Sequence, residues 1–195
     1  MEHLKVLLAD ERFSAYVHRS DFDFQVTGYS VPVIGQPVAA WKVQPVTAYR
    51  KHHGIHPDEF SAYLEQSPRG AIFVAWRGDS AVGHVVVSAH WNHFAHIDEL
   101  AVDAASRGQG VARALLDVAR FWATRQQLAG VMLETQNNNL GACRLYERCG
   151  FELAGIDHLR YRGLDPASAE VAMFWYLLFP GRREQGGSSL GDDLQ

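Results

Sequence analysis

The residues best suited to chemistry in this chain lie between positions 97 and 151. The string Arg107-Gly108-Gln109-Gly110-Val111-Ala112-Arg113 follows an apolar run, Ala95 to Val102, and precedes a stretch in which Leu115, Val118, Ala119 and Trp122 recur at helical spacing. A strand, a glycine loop and a helix in that order let successive backbone N–H groups converge on an anion, and the positive N-terminal end of the helix adds to the attraction. The expected ligand carries phosphate. A P-loop is excluded, because Val111-Ala112 stand where Lys-Ser/Thr would follow the last glycine. A Rossmann fingerprint would place a third glycine where Arg113 stands, which weakens that reading. A third pattern, Arg107-x-x-Gly110-x-Ala112, is matched throughout.

Two carboxylates, Asp98 and Glu99, stand on the strand just before this loop. Neighbouring residues of a regular strand face opposite ways, so one is expected to point into the cleft and the other away. The inward one could take a proton from a reacting group; the bland alternative is a salt-bridged or solvated strand residue. Histidines cluster at His52, His53 and His56, and again at His84, His90, His93 and His96. With no Cys partner and no ligand-spaced helix, they are not read as a metal site, although His96 is a candidate proton relay. Trp91, Trp175 and Tyr176 are read as core or cleft-wall aromatics, one of which could line an acceptor pocket.

The surrounding pattern supplies the elements that must position these groups. Ala71 to Trp76 and Ala81 to Ala89, joined at Gly78-Asp79, read as an antiparallel hairpin. The strand Ala95–Val102 and the loop-helix come next, followed by a strand at Val131 to Thr135. Asn137-Asn-Asn then opens a second helix ending near Arg148, with Gly150 placed as a left-handed C-terminal residue, and two further strands lie around 151–161 and 171–179. Residues 1–66 are irregular in pattern, apart from strand character at 41–49 and a short helix after Pro57 marked by Phe60, Tyr63 and Leu64. The expected fold class is α+β: a central mixed, mostly antiparallel sheet flanked by helices. One domain is expected over 1–180, with a motif-bearing core at 71–179 and a divergent part at 1–70; residues 181–195 are too poor in apolar groups to pack and read as a disordered tail.

Composition agrees with this. The 195 residues are 47% hydrophobic and 21% charged, with a net charge of −4, as in an ordinary soluble globular chain. A pI near 6.2 excludes a protein whose task is to coat nucleic acid. Cys143 and Cys149 read as reduced thiols. The chain shows no secretory signal and no apolar run of the ~20 residues that span a membrane, so a cytoplasmic location is expected, and a homodimer is compatible with the sequence.

The pattern Arg107-x-x-Gly110-x-Ala112 resembles the pyrophosphate-binding loop of the GNAT superfamily of N-acetyltransferases. Downstream, Asn139, Ala142, Tyr146, Glu147, Gly150 and Phe151 resemble that superfamily's Asn-x-x-Ala-x-x-x-Tyr-Glu-x-x-Gly-Phe helix. Further stretches look like the streptothricin acetyltransferases: Gly83-His-Val, Trp91-Asn92, Ile97-Asp-Glu-Leu-Ala-Val, Leu133-Glu-Thr-Gln-Asn-Asn-Asn with Ala142-Cys143, and Ala172-Met-Phe-Trp-Tyr. The resemblance covers about 72–179 and is poor over the first ~70 residues.

It implies acetyl-CoA as co-substrate, no metal, and a small cationic amine as acceptor, most specifically the β-lysine amino group of streptothricin. Other amines (a protein N-terminus or lysine, an aminoglycoside, a polyamine) are alternatives, as is a non-catalytic acetyl-CoA-binding module. Acetyl transfer to an amine requires that the acceptor lose a proton, that the oxyanion meet donors and that the leaving thiolate be stabilised. The resemblance favours Asp98 over Glu99 as base and places the Tyr146 hydroxyl near the coenzyme sulfur as general acid. It gives the backbone of Leu100, Ala101 and Val102 to the pantetheine arm and thioester carbonyl. Residues Arg107 to Arg113, with Arg144, would meet the phosphates. Asn139 would either contact the coenzyme or simply cap its helix. Residues 107–148 carry six basic and three acidic residues while both flanks are net acidic, an arrangement that suits an anionic donor and a cationic acceptor.

Overall fold

Val85, Val86 and Val87 are all fully buried, which requires a strand covered on both faces. The computed structural model describes residues 3–64 and 69–180 and shows the reason. In chain order the elements are β1 (Leu4–Leu8), α1 (Arg12–Arg19), β2 (Phe24–Val31), β3 (Lys42–Lys51), β4 (Gly70–Arg77), β5 (Ser80–Ala89), β6 (Ala95–Val102), α2 (Val111–Arg125), β7 (Gly130–Gln136), α3 (Leu140–Arg148), β8 (Glu152–Asp157) and β9 (Ala172–Leu178). Short 3-10 turns lie at Val38–Ala40, Pro57–Tyr63 and Ala104–Ser106. Seven strands form one sheet in the order β1-β4-β5-β6-β7-β9-β8, in which only β6 and β7 run parallel. This is the mixed sheet expected. The tail expected at 181–195 lies outside the described residues.

Each face of the sheet has its own core. On one, Val85, Val87, Ile97, Val131, Leu133, Met173 and Trp175 pack with Leu115, Leu116, Ala119 and Trp122 of α2 and with Tyr146 of α3. On the other, Ile72, Val74, Trp76, Val86 and Ala101 pack with Phe13, Tyr16 and Val17 of α1. Of the predicted stripe of α2, Leu115, Ala119 and Trp122 are buried and Val118 only partly so, while Leu116 and Ala123 join the buried face. Helix α3 ends as its sequence suggests: Gly150 takes φ 86°, and its N–H and that of Phe151 donate to the carbonyls of Glu147 and Tyr146 at 3.0 Å.

The first 66 residues hold more structure than their pattern suggested. β1 extends the main sheet at its edge, and α1 buries Phe13, Tyr16 and Val17 at helical spacing. β2 and β3 form a separate antiparallel pair, with β3 exposed along nearly its whole length. That pair docks through Ser30, whose N–H and Oγ donate to the Asn137 carbonyl at 2.9 and 2.8 Å while Asn137 Nδ2 returns a bond to Ser30 O at 3.0 Å. The helix expected after Pro57 is 3-10 rather than α. Trp91, read as a core or cleft-wall residue, is 85% exposed, on the short connection between β5 and β6.

Candidate active site

The pairing of β6 with β7 lasts only from Ala95–Val131 to Ile97–Leu133. Beyond it the two strands part, and a cleft of about 1190 Å³ opens between them, bounded by the loop at 106–113, by α3 and by residues of β2 and β3. At the point of parting β6 carries a bulge: Val86 pairs with Glu99 and Val87 with Ile97, which leaves Asp98 without a partner on β5. Ile97 and Leu100 consequently both face the α2 side, while Glu99 and Ala101 face the other. Asp98 and Glu99 both line the cleft, contrary to the strict alternation expected of a regular strand.

Their settings differ. Asp98 Oδ1 lies 2.9 Å from His96 Nδ1, two residues back on the same strand. Glu99 is more enclosed, its side chain 14% exposed, and its Oε1 is held by His53 Nε2 at 2.9 Å and by the Leu100 N–H at 3.1 Å. Among the described residues Oε2 meets no protein donor. The carboxylate hydrogen bond pushes the His53 imidazole above its ordinary range, against the opposing effect of burial. His53 is itself placed by Asp23, whose Oδ1 accepts its backbone N–H at 3.1 Å.

Tyr146 is buried to 7% exposure between Phe151 and Trp175 and lines the cleft. Burial first, then the nearby Cys143 thiol and Glu99, push the phenol above its ordinary value, so it holds its proton at neutral pH. Helix α3 presents it there because Asn139 Oδ1 caps the first turn, accepting the Ala142 N–H at 3.1 Å. Cys143, beneath it, is buried with its thiol pushed up to about 12 by desolvation, and is therefore inert.

The loop residues Arg107, Gly108, Gly110, Val111, Ala112 and Arg113 line the other end of the cleft. Gly110 takes φ 82°, a left-handed conformation that starts α2 abruptly. The first helical bond runs from Ala114 N–H to Gly110 O at 3.1 Å, so the N–H groups of Val111, Ala112 and Arg113 project from the helix end into the cleft. Arg107 has partners within the chain that its sequence setting did not indicate. Its guanidinium donates to the carbonyls of Val102, Asp23 and Phe22 at 3.1, 2.7 and 2.8 Å, tying the N-terminal part to the loop. Gln109 likewise bonds within the chain, to Ala105 O at 3.1 Å and to Arg77.

Two features escaped the sequence reading. His53 lies in the Lys51-His-His run, which was weighed only as a metal site, and nothing local links it to Glu99. Glu134 lies in the Glu-Thr-Gln string and lines the cleft opposite Asp98 and Glu99, bound by Tyr161 and Arg160 of the β8–β9 connection. Among the described residues no group of three or more His, Cys, Asp or Glu side chains is placed to hold a metal ion, and no helix is long and apolar enough to cross a membrane.

Residues 41–151 match the acetyltransferase (GNAT) family. The chain is 42% identical to a streptothricin acetyltransferase of Escherichia coli over 82% of its own length and 79% of that protein's. It is 34% identical to streptothricin acetyltransferase A of Bacillus subtilis over 60% of this chain and 67% of that one. A candidate streptothricin acetyltransferase of Bacillus anthracis, crystallised with acetyl coenzyme A, superposes with a TM-score of 0.80 at 32% identity, covering 91% of this chain and all of the other. A splayed parallel strand pair, a loop of open N–H groups and this degree of likeness lead to one statement: the chain belongs to the GNAT family of acetyltransferases and is an N-acetyltransferase that takes its acetyl group from acetyl-CoA.

Proposed function

We propose that the protein acetylates streptothricin on an amine of its β-lysine moiety and so confers resistance to that antibiotic. The observation that carries this reading is the acidic wall of the cleft: Asp98, Glu99 and Glu134 all line it beyond the coenzyme loop, as a polycationic acceptor requires. Likeness to streptothricin acetyltransferases of two species supports the same substrate.

In the proposed mechanism the N–H groups of Val111 to Arg113 and the positive end of α2 receive the pyrophosphate, with Gly108 and Gly110 leaving room for it and Arg113 adjoining. The pantetheine arm runs along the free edge of β6 at Leu100 to Val102; the Leu100 N–H is taken by Glu99 Oε1, so the backbone donor that polarises the thioester carbonyl comes from the rest of that edge. Glu99 is the base. His53 and the Leu100 N–H fix its Oε1, leaving Oε2 to accept a proton from the acceptor ammonium. The neutral amine attacks the carbonyl carbon, the C–N bond forms, and the C–S bond breaks as the intermediate collapses. Tyr146 donates its phenolic hydrogen to the departing sulfur and is reprotonated by the second hydrogen of the attacking nitrogen, directly or through water, while Glu99 returns the first to solvent. Of the two protons lost by the ammonium, one ends on the coenzyme thiol and one in solvent. Asp98, paired with His96, adds to the field that attracts the acceptor.

Purified protein given acetyl-CoA and streptothricin should release free CoA and yield a singly acetylated antibiotic by mass spectrometry. Absence of release above background, alongside turnover of another amine in a panel of aminoglycosides, polyamines and peptides, would overturn the substrate while leaving the enzyme class intact.

A further inference from the structure

Glu134 is a cleft carboxylate to which the mechanism gives no step. It and Gln136 stand two apart on β7, hence on one face, and both reach the Tyr161 hydroxyl: Tyr161 donates to Glu134 Oε1 at 2.5 Å and accepts from Gln136 Nε2 at 3.0 Å. That leaves Glu134 Oε2, which receives Arg160 Nε at 2.7 Å. The Arg160 guanidinium also lies 5.5 Å from the centre of the Phe174 ring, on the strand paired with β7. A carboxylate with one oxygen locked, the other open, and an aromatic face beside it forms a cradle for a planar cation, and the chain's own guanidinium fills it.

The occupant is held far less firmly than the cradle. Glu134 is 19% exposed and its partner Tyr161 is half-buried, whereas Arg160 is 50% exposed. Arg160 also stands on the β8–β9 connection, whose bonds near it are local turns: Arg160 N–H to Asp157 Oδ1 at 3.1 Å, Arg162 N–H to Leu159 O at 2.9 Å and Leu164 N–H to Tyr161 O at 3.1 Å. Swinging the side chain outward breaks one ion pair, and a cationic ligand restores it.

We propose that Glu134, Gln136, Tyr161 and Phe174 form a second acceptor subsite, specific for a guanidinium-like cation remote from the amine being acetylated, with Arg160 as an exchangeable stand-in. The subsite rests on the reading of the acceptor as a small polycation. It adds a reason for selectivity: an acceptor carrying both an amine and a guanidinium bridges Glu99 and Glu134, while a simple amine reaches only the first.

The test compares Glu134→Gln with Arg160→Gln, measuring KM for streptothricin and for two model acceptors of equal length, an alkyl diamine and an aminoalkyl guanidine. Emptying the cradle and removing the carboxylate act in opposite directions. Arg160→Gln should lower KM for guanidine-bearing acceptors, and Glu134→Gln should raise it by roughly tenfold to a hundredfold, the loss of one charged hydrogen bond. The rise should be larger for the aminoalkyl guanidine than for the diamine. If Arg160 and Glu134 merely pin the connection, both variants raise KM together and the subsite is refuted. Wild-type protein provides a check independent of variant folding: methylguanidinium should inhibit competitively against the acceptor, more strongly than methylammonium, and not against acetyl-CoA. Equal inhibition by the two cations also refutes the subsite. Failure to acetylate streptothricin, with these contrasts intact on the model acceptors, would instead count against the proposed substrate.

Discussion

Replacing Tyr146 by Phe separates chemistry from packing more cleanly than any other single change in this cleft. The ring sits 5.9 Å from that of Phe151 and 6.1 Å from that of Trp175, and Phe fills the same space. Tyr146 lines the cleft, and among the described residues its hydroxyl meets no protein partner, so its removal strands no donor or acceptor. Stability should change by less than about 1 kcal/mol. Catalysis should change far more, because the phenol, held protonated by burial, is the donor that the proposed mechanism offers to the leaving sulfur. Loss of a positioned acid lowers rates by about a hundredfold to ten-thousandfold, or roughly 3 to 5 kcal/mol of barrier. The assay is CoA release at saturating acetyl-CoA and acceptor, with KM for acetyl-CoA and the melting temperature followed in parallel. Both should stay near wild type while kcat falls. Acyl donors with progressively more acidic thiols give a second readout, since a better leaving group needs less help and should recover more of the rate in the variant than in wild type. A kcat within about threefold of wild type, or equal sensitivity of both proteins to thiol acidity, would refute the assignment.

Glu99→Gln should lower kcat/KM by about a hundredfold to a thousandfold and Asp98→Asn by less than about tenfold, with the reverse order pointing to Asp98 as the base. His53→Gln keeps a donor beside Glu99 but removes the imidazole whose pKa that carboxylate raises, so the part of the kcat/KM pH profile owed to His53 should disappear, and a profile identical to wild type would disprove the coupling. The same pair fixes a sign for stability: because Glu99 raises the His53 value, its contribution is complete below the ordinary histidine value of about 6.5 and fades as pH rises through the raised one. The melting difference between wild type and His53→Gln should accordingly shrink from pH 6 towards pH 9. His84 behaves oppositely, since burial among Phe13, Tyr16 and Phe22 pushes it down to about 4. Its cost grows as pH falls from about 6.5 towards 4, reaching about 3 kcal/mol, and His84→Phe should flatten that slope in urea unfolding even while leaving the Tyr16 hydroxyl without its partner.

Much of the donor side was legible because it is local. Strand β6, the loop at 107–113 and α2 follow one another in the chain, so periodicity, glycine placement and the Asn139 cap carried the geometry. The acceptor side was harder for a physical reason: its contacts join distant segments. His53 reaches Glu99 across 46 positions, and Arg107 closes on carbonyls 84 and 85 positions away. The bulge lay between these cases. Two adjacent polar residues between Ile97 and Leu100 break the alternation of a regular strand, and that break was the available sign that both carboxylates face one way. Trp91 misled because its type suggests burial, whereas it stands exposed on the connection between β5 and β6.

Linear charge bookkeeping is incomplete as an account of the cleft. It placed the positive segment at 107–148, yet Arg107 spends its guanidinium on backbone carbonyls, and Glu134, inside that segment, belongs to the acidic wall. The separation of signs arises in three dimensions, from the way β6 departs from β7. One event, the end of pairing at Ile97 and Leu133, frees the β6 edge that the proposed mechanism gives to the coenzyme arm, and the bulge that follows sets Asp98 and Glu99 where that mechanism places the acceptor. The slot for the donor and the carboxylates for the acceptor thus share a single structural origin, which accounts for their adjacency without requiring long-range electrostatics to arrange it.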